Sequence, residues 1–155
     1  MYKRILLPME NKDHQAPALA HVGLLAGDLG ATVILAWLVP VVASEETFMK
    51  QIQVETGSSG ARRKKEGERF MDQAAAVLRS SGVETLTKVV VTTASPEDAI
   101  LELAQAEQVD LIVMATLPRS AVGRFLLGSV DEKVRRRSPV PVLFVHPAMG
   151  DQGRG

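Results

Sequence analysis

Residues 95–115, "SPEDAILELAQAEQVDLIVMA", join a well-specified helix start to an apolar strand. Ser95 stands where an N-cap side chain accepts a hydrogen bond from a first-turn amide. Pro96 fits the first helical position, because the N–H it lacks has no partner there. Glu97 and Asp98 then put negative charge at the positive end of the helix dipole. The run after Asp110 is apolar without polar alternation, the pattern of a strand covered on both faces.

The same alternation of strand and helix extends in both directions. "YKRILLP" (2–8) is a short apolar strand that stops at Pro8. Ala18, Val22, Leu25 and Leu29 recur at helical spacing, and Gly30 stands where a left-handed cap ends a helix. "ATVILAWLVP" (31–40) is a second buried strand, rich in β-branched residues and closed by Pro40. The polar "ETGSSGARRKKEGE" then interrupts the pattern that Phe48, Met49 and Ile52 begin, and it predicts a mobile excursion around Thr56 to Lys65. From Glu66 the pattern resumes, with Phe70, Ala74, Val77 and Leu78 on one face and Gly82 as terminator. "ETLTKVVVTT" (84–93) is the third strand and "VDLIVMA" (109–115) the fourth. "GSVDEKVRRRS" (128–138) is a short helix whose acids lead and arginines close, and "VPVLFVHP" (140–147) is the fifth strand. The tail, residues 148–155, reads as unstructured. Strands alternating with helices along the whole chain predict a parallel sheet with helices on both faces. Ligands bind such sheets outside the carboxyl ends of the strands, where the strand order reverses.

Composition narrows the function classes. A chain of 155 residues fits one domain. Its 18 basic and 18 acidic side chains cancel, which removes the long-range pull of a dedicated nucleic-acid or anionic-membrane binder. With no cysteine there is neither a thiolate nucleophile nor a disulfide framework. "MYKRILLPMENK" is too short in its apolar part for a signal peptide, and no run is long enough to span a bilayer. The expectation is a soluble cytoplasmic protein.

"YKRILLPMENK" (2–12), "ASPEDAILELAQAEQVDLIVMAT" (94–116) and "GRFLLGSVDEKVRRRSPVPVLFVHP" (123–147), in this order, resemble the universal stress protein family. The resemblance spans Tyr2 to Pro147. It implies one α/β domain over residues 1–147, with a Rossmann-like five-stranded parallel sheet in the order 3-2-1-4-5. It further implies adenine-nucleotide binding, ATP or AMP, with Mg²⁺ accompanying ATP. The family typically forms homodimers through the last strand, here Val140 to Val145, whose apolar edge invites pairing with another chain.

In nucleotide-binding members a glycine, two residues, a second glycine, nine residues, then glycine and serine or threonine follow the fourth strand. The corresponding positions here are Ala115, Thr116 and Leu117, Pro118, Arg119 to Leu127, then Gly128 and Ser129. The spacing is kept and two glycines are replaced. Ala115 adds a methyl where ligand would press on the backbone, and Pro118 deletes an amide donor of the kind that holds a phosphate. One donor lost to an anion weakens binding by roughly 1.5 to 3 kcal/mol, about ten- to a hundredfold. Gly128 and Ser129 keep close approach and a hydroxyl ahead of a helix start that favours an anion. The family's aspartate after strand one is Glu10 here, one methylene longer. The site that the resemblance implies comprises Pro8, Met9, Glu10, Leu38, Met114, Ala115, Arg119, Gly128, Ser129 and Val130.

Plainer readings apply elsewhere. His14, His21 and His146 lack ligand-like spacing, so no metal site is expected. Lys12 reads as solvated, "ARRKKEGERF" and "VRRRS" as solvated faces, and Trp37 as core or pocket-wall packing. Ser129 has no neighbouring general base in sequence and no strained nucleophile elbow, so no catalytic residue is assigned. Three functions follow from the sequence. They are a regulatory module that binds adenine nucleotide weakly, a stress protein acting through protein association alone, and a slow ATP hydrolase.

Overall fold

A computed structural model of the chain describes residues 1–9, 12–40, 59–115 and 130–146. Strand β1 (Arg4–Met9) leads into helix α1 (Lys12–Leu29) and strand β2 (Thr32–Pro40). Helix α2 (Ser59–Ser80) precedes β3 (Thr85–Thr92), helix α3 (Pro96–Ala106) precedes β4 (Leu111–Ala115), and helix α4 (Val130–Arg137) precedes β5 (Val142–Val145). All pairings are parallel and the sheet order is β3-β2-β1-β4-β5, as expected.

Side-chain alternation along the strands divides the core in two. Ile5, Leu7 and Met9 of β1, Val33 and Leu35 of β2, and Leu111 and Val113 of β4 face α1 and α2. There they meet Ala18, Val22 and Ala26 of α1 and Met71, Ala74, Ala75 and Leu78 of α2. Leu6, Ile34, Ala36, Ile112 and Met114 face the opposite way, onto Ile100 and Ala104 of α3 and Val134 of α4. Both faces of β1, β2 and β4 are therefore covered. This is why those strands read as unbroken apolar runs.

The helix ends follow the sequence closely. The Ser95 hydroxyl accepts from the Asp98 amide at 3.3 Å, with Pro96 as the first residue of α3. Gly30 and Gly82 take φ of +66° and +83°. After Gly82 the Val83 amide reaches back to the Leu78 carbonyl at 3.1 Å and the Gly82 amide to Arg79 at 2.9 Å, a Schellman ending. Helix α3 ends in the same way without a glycine. Val109 N–H donates to Ala104 at 2.8 Å and Gln108 N–H to Gln105 at 3.1 Å, while Gln108 holds φ of 53°.

Helix α2 departs from the expectation. It starts at Ser59, so residues 59–65 of the predicted mobile excursion are helical, whereas Thr56 to Ser58 lie outside the described residues. Apolar periodicity could not mark this first part, because after Ser59 and Gly60 it runs Ala-Arg-Arg-Lys-Lys, good helix formers of which only the alanine is apolar. Within α2, Val77 does not belong to the buried stripe. It is 62% exposed, and the stripe runs through Met71, Ala74, Ala75 and Leu78. Those positions follow i, i+3, i+4, i+7 spacing, which leaves residue 77 off the face. In α1 the buried partner of Val22 is Ala26, while Leu25 is only partly buried and Leu29 is 38% exposed. The 148–155 tail lies outside the described residues.

Candidate functional site

Strand order reverses between β1 and β4, because the chain winds from β1 through β2 to β3 on one side and from β4 to β5 on the other. The backbone of β1 explains why its pairing with β4 stops short of the strand end. The Arg4 carbonyl accepts from Asp110 N–H on the β4 side, whereas the Lys3 carbonyl accepts from Thr32 N–H on the β2 side. Backbone polar groups alternate sides along a strand, so Leu6 and Pro8 both point toward β4. Strand β1 pairs with β4 at Ile5↔Leu111 and Leu6↔Ile112, and with β2 through Met9↔Trp37. At Pro8 the next donor toward β4 is missing. Proline thus ends β1–β4 pairing without ending the strand, which continues to Met9 along β2.

At this edge the structure brings together Pro8 and Met9 of β1, Met114 and Ala115 of β4, and Leu38 of the neighbouring β2. Pro8, Met9 and Met114 are buried. Met9 and Ala115 lie on the α1/α2 side of the sheet, whereas Leu38, Met114 and Val130 pack on the α3/α4 side. The two ends of the site therefore have walls from both layers. Val130 is the first residue of α4. Glu10, Arg119, Gly128 and Ser129 lie outside the described residues.

Trp37 sits beside Met9, on the α1/α2 side. Its ring meets Phe70 edge-on at 6.1 Å between centroids. Gly67 of α2 lies directly against the indole, where a Cβ would come within 2.6 Å of ring atoms. The glycine that breaks the charged run of α2 is thus the seat of Trp37. The sequence reading of Trp37 as packing agrees with this contact.

Sequence reasoning gave Glu97 and Lys133 no joint role, since 36 residues separate them. In the fold Lys133 Nζ lies 3.1 Å from Glu97 Oε1, and Arg137 Nη1 lies 2.6 Å from Asp98 Oδ1. The Glu97 carboxyl is held below its ordinary range, first by a hydrogen bond from its own backbone amide and then by Lys133 and Ser95, against an opposing desolvation. The Asp98 carboxyl is likewise lowered, first by Arg137 and then by the Ser95 hydroxyl. Glu97 and Asp98 were legible as helix-start residues and Arg137 as a helix-end residue, but not as partners.

Among the described residues no group of three or more His, Asp or Glu side chains could hold a metal ion. No described helix is long and apolar enough to cross a membrane.

The model of the universal stress protein family matches residues 1–146. The chain belongs to this family. A universal stress protein of Thermus aquaticus is 32% identical over 148 residues, covering 94% of this chain and 99% of the relative. A universal stress protein solved in complex with cAMP is 25% identical, with TM-score 0.66 and coverage of 94% and 97%. The universal stress protein from Archaeoglobus fulgidus, in complex with dAMP, is 18% identical with TM-score 0.64 and coverage of 92% and 97%, a likeness of fold.

Proposed function

We propose that this universal stress protein is a cytoplasmic regulatory module that binds an adenine nucleotide, ATP or AMP, between the carboxyl ends of β1 and β4. The observation that carries the reading is the end of β1–β4 pairing ahead of Pro8, at the reversal of strand order. The residues there suit the ligand. Leu38 and Ala115, both partly exposed, offer apolar surface for a base, backed by the buried Pro8, Met9 and Met114, and the α4 start lies at the exit of the loop that carries Gly128 and Ser129. A relative of the same fold at 25% identity was solved with cAMP.

Affinity is low in this reading, because Ala115 and Pro118 replace two glycines of the loop. Mg²⁺ would travel with ATP, held mainly by its phosphates and by water. Calorimetric titration with ATP and with AMP checks the proposal. The expected result is saturable binding in the micromolar to millimolar range, with a thermal shift. No heat and no shift at millimolar ligand would favour a protein that works through association alone. We also propose a homodimer through β5, which forms one edge of the sheet.

A further inference from the structure

Helix α4 has eight residues, and Val134 is its only buried one among Val130–Arg137. Burying one valine contributes about 1.5 to 3 kcal/mol and, being non-directional, does not fix a helix along its own axis. The directional contacts come from charge. Lys133 and Arg137 are one turn apart, on one face of α4, and both converge on adjacent acids in the first turn of α3. That turn is itself anchored, since Ser95 caps it and Glu97 is 7% exposed. It also lies at the carboxyl edge of the sheet, with three residues between the end of β3 and its first residue. Pairing Lys133 with Glu97 therefore ties the first turn of α4 to that edge, on the sheet face of Met114, against whose cluster Val130 packs.

We propose that Glu97 and Asp98 are positioning residues for the nucleotide site, acting through Lys133 and Arg137 to hold the N-terminal turn of α4 at the carboxyl edge of the sheet beyond β1 and β4. The inference rests on the nucleotide reading for its effect on binding, but not for its effect on α4. With the pairs formed, the amides of the first turn are preorganised where the phosphates of a bound nucleotide end. With Lys133 cut short, α4 keeps its valine anchor and the Arg137–Asp98 pair, and its first turn loses its tie to α3. Ligand affinity then falls through the phosphate end alone.

The test uses the full chain as wild type, Glu97→Gln, Lys133→Met, the double variant and Lys133→Arg. Two readouts are taken, affinity for ATP and for adenosine by calorimetry, and amide hydrogen exchange across residues 130–137. Either single change is expected to weaken ATP roughly fivefold, the size of a partly buried ion pair, while adenosine changes little. The double variant is expected to lose no more than the worse single one, Lys133→Arg to retain affinity, and exchange in α4 to quicken in step with the losses. Additive losses, equal losses for ATP and adenosine, or unchanged α4 exchange in Glu97→Gln and Lys133→Met would overturn the proposal. If wild-type protein binds no nucleotide, the nucleotide reading fails, and the exchange data alone decide whether the pairs position α4.

Discussion

Gln108 occupies the place that Gly82 takes in the Schellman ending of α2. Its φ of 53° is left-handed, and a side chain there carries a steric cost that Gly30 and Gly82 avoid. Gln108→Gly is therefore expected to stabilise the protein by about 0.5 to 1 kcal/mol, or roughly 1 to 4 °C in Tm, since relief of strain exceeds the added freedom of the unfolded glycine. Thermal unfolding followed by circular dichroism checks this. An unchanged or lower Tm would mean that the glutamine side chain contributes contacts that offset its backbone strain. Residue-scale features of this kind were partly legible. Ser95, Pro96, Gly30 and Gly82 announced their roles because capping and left-handed turns depend on a single side chain or its absence. Gln108 gave no such signal, because glutamine is ordinary in sequence and its φ follows from how α3 must turn into β4. Gly67 was equally silent. Nothing near it in sequence says that an indole from β2 will lie on it.

At the scale of elements, α4 shows how a short charged helix is held. Its charge order, acids first and arginines last, was visible and agrees with its dipole, but the partners of those charges lie on α3. Glu97 and Asp98 are both held below their ordinary carboxyl range, so the folded state binds their protons less readily than the unfolded chain does. Their stabilisation is accordingly complete above the unfolded carboxylate range and is lost as pH falls through the lower folded values. Acidification from about pH 5 to about pH 3 is expected to lower the stability of wild type more steeply than that of the Glu97→Gln, Lys133→Met double variant. Urea midpoints measured across that range check it, and parallel curves would contradict it. Helix α2 makes the complementary point. Its second half was recognised by its apolar stripe, while its first half, helical from Ser59, has propensity without periodicity and reads as an interruption.

For the whole molecule, the edge strands decide what else can pair. Strand β5 ends the sheet beside β4, and Leu143 on it is 41% exposed. If two copies join there, sedimentation at micromolar concentration gives twice the chain mass, and Leu143→Lys shifts it to that of one chain. A wild-type monomer would remove the dimer from the account.

The sequence by itself determined the parallel α/β class, the places of nearly all elements and the family, because these depend on local periodicity, caps and motifs whose residues are close in the chain. It also singled out Pro8, Met9, Met114 and Ala115 as neighbours, through the order of strands that the family resemblance implies. Only the tertiary structure decided that Pro8 faces β4 without a donor and so ends the pairing of β1 with β4, that Gly67 receives Trp37, and that Lys133 and Arg137 tie α4 to the first turn of α3. Each of these depends on which way a group points once distant segments meet. That direction is set by strand register and helix packing rather than by any residue's own preference.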